Sequence, residues 1–243
     1  MNQVRPALQA ASAAAVVALT ASAFAGSVRG RINGQEKLVS DVYNEAAKFD
    51  GHHFTWREPS PTVKSDFRTL SANPSRVICV AAESTGGPQG QHDPILVKIT
   101  GGHTIPTTIV VSPNTRISFE NRDPFPHRLY QVGAATWKAE TMESARRREW
   151  AAPNGQSRFE FRDELFPSIR TYVLVDPQVV EIAYPGHDGA FLMNLPAGDF
   201  VLKAYFNGRQ VGRPVDVTAR DHGIFELKDP LNVGETPDGK PVQ

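Results

Sequence analysis

The stretch Ile105 to Tyr130, IPTTIVVSPNTRISFENRDPFPHRLY, decides the fold. Thr107, Thr108, Ile109, Val110 and Val111 are five β-formers in a row, and Ser112-Pro113-Asn114 breaks the run. Ile117 and Phe119 then alternate with Arg116, Ser118 and Glu120, so the segment reads as strand, turn, strand. It ends in Asn121-Arg122-Asp123-Pro124-Phe125-Pro126-His127, where two prolines stop the strand and project one imidazole from a stiff loop. Delivery of a histidine from a sheet edge is a common way to hold a metal.

Short strands continue on both sides. Ser27–Ile32 alternates, Arg76–Ala82 (RVICVAA) reads as a buried strand, and Pro94–Thr100 leads into the central stretch. Ser157–Phe161, Thr171–Val175, Val179–Tyr184, Ala190–Asn194, Asp199–Phe206, Val211–Val217 and Gly223–Leu227 follow, separated by Gly, Pro, Asn and Asp turns. Asp176-Pro177-Gln178 reads as a tight hairpin or a bend between sheets. Leu38, Val42, Ala46 and Phe49 fall at helical spacing and predict a short helical insertion. Residues 132–152 read as irregular, and the Pro/Gly-rich tail from Asp229 as disordered. The pattern is an all-β sandwich fold.

Asn121 to His127, with the preceding strands, resembles the first ligand loop of bacterial plastocyanin-like cupredoxins. Pro153-Asn154-Gly155-Gln156-Ser157-Arg158-Phe159-Glu160-Phe161 is similar to a later strand of that family. Asp188-Gly189-Ala190-Phe191 and Leu195-Pro196-Ala197-Gly198-Asp199-Phe200 resemble a carboxypeptidase-regulatory-like, prealbumin-like β module. The resemblance implies a Greek-key cupredoxin-like sandwich with an Ig/prealbumin-like module threaded around it. The implied organisation is a signal peptide at 1–25 and N-terminal strands of the β module with the insertion at 26–93. The cupredoxin-like sandwich follows at 94–178, the rest of the β module at 179–228, and the disordered tail at 229–243.

The resemblance also implies a type 1 copper held by two His, one Cys and usually one Met. Residues 166–184, where the later ligands would fall, contain none of these types. His127 is the one matched ligand, and a lone imidazole makes no tight copper site. Its expected role is therefore vestigial: a structural group tying its loop to a neighbouring strand. Cys79, alternating within RVICVAA, reads as an inert core thiol. The adjacent pair His52 and His53 is the remaining metal candidate, able to bind Cu(II) or Zn weakly.

The leader, with Arg5, an uncharged alanine-rich run and Ala23-Phe24-Ala25, predicts export to the periplasm or beyond, with a mature start at Gly26. No other run is long and apolar enough to span a membrane. Twenty-six basic residues balance twenty-six acidic ones, which gives no general attraction to nucleic acid. The single cysteine excludes an intramolecular disulfide. No nucleophile elbow, zinc-protease helix, phosphate loop or dinucleotide fingerprint occurs, so no enzyme is expected. Arg146, Arg147 and Arg148 with Trp137 and Trp150 form the candidate binding surface for an anionic glycan or a protein. The competing reading is a solvated loop neutralised by Glu140, Glu143 and Glu149. The function expected from the sequence is thus an exported, non-enzymatic binding or structural module with no cofactor. A copper-binding or electron-transfer protein with an unorthodox site is the alternative.

Overall fold

The computed structural model describes residues 25–41, 73–87, 93–221 and 223–242. The strands in chain order are β1 (Ala25–Asn33), β2 (Ile78–Ser84), β3 (Ile95–Thr100), β4 (His103–Ile105), β5 (Thr108–Val111), β6 (Arg116–Asn121), β7 (Leu129–Gln131) and β8 (Arg147–Ala151). They continue as β9 (Ser157–Asp163), β10 (Arg170–Val175), β11 (Val179–Ala183), β12 (Ala190–Pro196), β13 (Gly198–Phe206), β14 (Arg209–Ala219), β15 (Ile224–Glu226) and β16 (Leu231–Asn232). A one-turn helix, α1 (Pro74–Val77), precedes β2 and is capped by the Asn73 side chain on Ser75 N–H. Leu38, at the start of the predicted helix, is extended, and the rest of that helix from 42 on, the leader before Ala25 and the His52–His53 pair lie outside the described residues.

The fold is all-β and consists of two sandwiches. In the first, sheet β4-β3-β6-β8 faces sheet β5-β10-β9-β7. Alternation sends Val97, Ile99, Ile117, Phe119, Phe161, Val173 and Val175 into its core. In the second, sheet β12-β1-β15, with β16 also on β1, faces sheet β11-β2-β13-β14. Its core holds Val28, Ile32, Val80, Phe191, Met193, Leu195, Phe200 and Leu202. Thus β1 and β13 share one core although the first sandwich intervenes between them in the chain.

The central stretch is strand, turn, strand as its sequence reads, but its two strands do not pair with each other as a hairpin. β5 pairs in parallel with β10, and β6 pairs in parallel with β3, so the two strands lie in opposite sheets. Ser112 to Thr115 carries the chain across, closed by Thr115 N–H to the Ser112 carbonyl and by Asn114 at φ 64. The physical reason is burial on both faces. Ile109 and Val111 enter the sandwich core, while Val110 faces the other module. There it packs with Cys79, Ala81, Val179 and Tyr205 in a third cluster that forms the seam between the sandwiches. Thr108 Oγ1 accepts the Asn207 N–H across the same seam at 3.0 Å.

Two further expectations are corrected. Residues 132–152 contain β8, an edge strand paired antiparallel with β6 from Arg116↔Ala151 to Glu120↔Arg147. The tail is ordered: β16 adds in parallel to β1 at Ile32↔Leu231, and Leu231 and Val233 are buried. Two aliphatic side chains among the glycines and prolines suffice to anchor it. Asp176-Pro177-Gln178 is the bend between sheets, since β10 and β11 belong to different ones.

Gly212 lets the tail approach. It sits at φ +71, and an added Cβ would lie 2.5 Å from the Asn232 carbonyl oxygen. Its N–H donates to the Glu235 carbonyl at 2.6 Å. Gly212→Ala is expected to cost about 1–2 kcal/mol for the left-handed backbone alone, with the clash added. Limited proteolysis should then cut within 231–242 faster than in the parent, and an unchanged cleavage rate would contradict this packing.

Candidate functional site

The loop from Arg122 to Arg128 joins β6 to β7 at one end of the first sandwich, between the two sheets. Asn121 shapes it. Its Oδ1 accepts Asp123 N–H at 2.9 Å, and its Nδ2 donates to the carbonyls of Phe125 and Met142 at 2.8 and 2.9 Å. This is the turn chemistry of Asn, here with both ends of the amide used. His127 then exchanges backbone hydrogen bonds with Met142, at 2.8 and 3.1 Å.

The His127 side chain is fully buried. Its Nε2 lies 3.0 Å from Asp123 Oδ2 and its Nδ1 lies 3.2 Å from Asp163 Oδ2. Both carboxylates are themselves buried and fixed. Asp123 Oδ1 accepts the Gly101 N–H at 2.8 Å. Asp163, the last residue of β9, accepts the N–H groups of Arg128, Leu165 and Phe166 at 2.7 to 2.9 Å. With a carboxylate oxygen at each nitrogen, both hydrogen-bonding positions of the ring are filled from within the fold. The imidazole therefore ties the β6–β7 loop to the end of β9.

Aromatic rings close the site. Phe125 and Phe166 meet His127 edge-on at 5.3 and 5.2 Å between centroids, and meet each other at 4.9 Å. Phe166 belongs to the β9–β10 loop, Glu164 to Ile169, which overlaps the start of the 166–184 region where the resemblance would place the later copper ligands. Its residues are Glu, Leu, Phe, Pro, Ser and Ile, with no sulfur or imidazole donor. The donor set does not fit a type 1 copper: one imidazole, both nitrogens engaged, under two phenylalanines. Among the described residues no group of three or more His, Cys, Asp and Glu is arranged to hold a metal ion.

Cys79 and Met193 lie away from His127, whereas Met142 sits beside it through the paired backbones. Cys79 is buried in the seam, and burial pushes its thiol up to about 12, partly offset by hydrogen bonds with the Val110 backbone and Tyr184. Met193 packs in the core of the second sandwich, and Met142 in that of the first.

The arginine–tryptophan surface is corrected. Trp150 is only 8% exposed: it points inward from β8, packs on Phe159 and Phe161, and donates through Nε1 to Gln131 Oε1 at 2.9 Å. Trp137 meets Phe119 and Phe161, and its outer face is covered by the Arg148 guanidinium 3.6 Å above the ring. Arg148 also donates to the Leu129 carbonyl at 2.7 Å and pairs with Glu140. The reason is the strand period: β8 turns Arg148 and Trp150 toward the sandwich and Arg147 and Glu149 outward. Neither indole presents a free face for a sugar ring, and Arg146 and Arg147 are the exposed remainder.

Sequence reading missed Asp123 and Asp163 as partners of His127. Asp163 is thirty-six residues away, and the signal available was an Asp ending a strand before a Pro-bearing loop.

No family model matches the chain, and no curated protein matches it. Among solved structures it is similar to an amicyanin variant in its reduced state, at 18% identity, 34% of this chain, 82% of that chain and a TM-score of 0.31. A second reduced amicyanin variant matches at 15% identity over 39% of this chain and 91% of that one, with a TM-score of 0.32. A copper-containing nitrite reductase from Thermus scotoductus SA-01 matches at 14% identity over 34% of this chain and 22% of that one, with a TM-score of 0.30. At these values the likeness bears on shape alone, and the fold class stands on the strand order given above.

Proposed function

We propose that this chain is an exported, non-enzymatic binding or structural module in which the copper-bearing end of a cupredoxin-like sandwich is replaced by a packed cap. The observation that carries the reading is His127 itself. Its ring nitrogens, which would have to face a metal, are bonded to Asp123 and Asp163 under Phe125 and Phe166. Redox work needs a soft donor beside the imidazole, and the one thiol is committed to the seam.

Titration with Cu(II) tests this. The purified protein is expected to develop no intense blue thiolate-to-copper band, and His127→Ala is expected to leave its metal content unchanged. A stoichiometric blue protein that loses its colour in His127→Ala or Cys79→Ser would overturn the proposal. Export has its own check, since secreted material should begin at Gly26. That position suits glycine, because an added Cβ would sit 2.3 Å from the Arg220 carbonyl oxygen.

A further inference from the structure

We propose that the outer face of the β4-β3-β6-β8 sheet docks an acidic polysaccharide, one bearing carboxylate or sulfate groups. The proposal rests on the non-redox binding reading above and moves the binding surface from the tryptophans to this face.

Register builds it. Lys98 on β3, Glu120 on β6 and Arg147 on β8 stand side by side across three strands. Alternation turns them outward while Val97, Ile99, Phe119 and Trp150 turn in. Glu120 organises the row. Its Oε2 accepts from Arg122 Nε at 2.7 Å, and its Oε1 accepts from Arg147 Nη2 and Nε at 3.0 and 3.3 Å. The two hydrogen-bonded arginines hold the Glu120 carboxyl below the usual carboxylate range, so it stays ionised and keeps both guanidiniums in place. The two arginine side chains remain 48% and 55% exposed. Among the described residues no partner takes either Nη group of Arg122 or Nη1 of Arg147, which leaves them to a ligand.

Charge singles this face out. Arg76 lies at its β4 edge, close enough that its charge, after desolvation, lowers the pKa of His103. Arg76, Lys98, Arg122 and Arg147 thus stand against the carboxylates of Glu120 and of buried Asp123, which also acts on His103, while Arg116 and Glu149 further down offset each other. The chain as a whole has a formal net charge of zero, so this excess is local and attracts an anionic partner. The class of partner follows from what else the face presents. None of the exposed large hydrophobics among the described residues, Phe125, Val132, Leu165, Leu192, Ile224 and Phe225, belongs to β3, β4, β6 or β8, and the apolar Leu96 and Ile105 on the Lys98 side are half-buried. A protein interface lacks its aromatic anchors here, a bilayer its apolar wedge, and single-stranded nucleic acid its stacking ring. Pinned guanidinium forks on a face whose apolar side chains are half-buried suit the carboxylates and sulfates of an extended sugar chain.

The intact mature chain should bind immobilised polygalacturonate at low salt, elute as salt rises, and pass through a neutral dextran column. Arg122→Gln/Arg147→Gln should weaken that binding roughly tenfold, the sum of two partly exposed charge contacts. Arg209→Gln/Arg220→Gln on the other module should leave it unchanged. Thermal unfolding verifies each variant's fold. Lys98→Gln serves as the second reader of the face, with a smaller loss expected. No retention of the parent protein, parental binding by both face variants, or equal binding to duplex DNA or phosphatidylglycerol vesicles at the same salt would overturn the proposal. Copper titration is indifferent to every one of these outcomes, so failure of this face and failure of the non-redox reading are separately visible.

Discussion

Replacing His127 by alanine is expected to lower the free energy of unfolding by about 3–5 kcal/mol, the usual cost of stranding one member of a buried ionic cluster. The sequence alone suggests less, about 1–3 kcal/mol for one lost hydrogen-bond partner. The difference comes from Asp123 and Asp163, only 5% and 3% exposed, which the imidazole separates and contacts through both ring nitrogens. Without it two carboxylates face one cavity beneath Phe125 and Phe166. Asp163 keeps its three backbone donors, so Asp123, with only Gly101 N–H left, should bear most of the penalty. Urea unfolding measures the change. A loss under about 1 kcal/mol would mean that the imidazole is not a buried ionic partner.

Raising the pH should destabilise the protein steeply, with Cys79 as the first contributor. In the unfolded chain the thiol ionises near 9.0, whereas burial in the seam delays ionisation to about 12. Between those values the unfolded chain holds fewer protons than the fold. Stability is therefore complete below about pH 9 and is lost as the pH rises toward 12. At about 1.4 kcal/mol per pH unit inside the window, Cys79 accounts for roughly 2–3 kcal/mol by about pH 11. Three tyrosines act with the same sign. Burial raises Tyr172, Tyr184 and Tyr205, with further contributions from Asp41 at Tyr172, Cys79 at Tyr184 and Glu83 at Tyr205. Tyr205 donates to buried Glu83 at 2.7 Å, and Lys203 pairs with the other oxygen of that carboxylate. Urea unfolding at about pH 8 and about pH 11 should show a loss roughly 2 kcal/mol smaller in Cys79→Ala than in the parent. Equal losses in the two proteins would remove the thiol from the account.

Sequence by itself determined the all-β class and the position of most strands, because period-2 alternation and Gly/Pro punctuation are local signals. Ser157 to Phe161 and Asp199 to Phe206 each show the alternation that their burial then repeats. It also determined that residues 166–184 hold no Cys, His or Met to join His127, since a missing residue type is legible without coordinates. Tertiary structure decided the rest. The run Thr107 to Val111 is equally compatible with a hairpin and with a strand buried on both faces. Only the packing of Val110 against Cys79 and Tyr205 selects the second. Residues 147–151 alternate as well, but their inward positions hold Arg148 and Trp150, and a charge in that place reads as surface until Trp137, Leu129 and Glu140 are seen to receive it. The tail reads as disordered by composition, yet Leu231 and Val233 bury themselves because β1 offers an open edge. His127 shows the same limit most sharply. Its partners come from its own loop and from a strand end thirty-six residues away. Pairing over that distance depends on how two sheets stack, which no local pattern encodes.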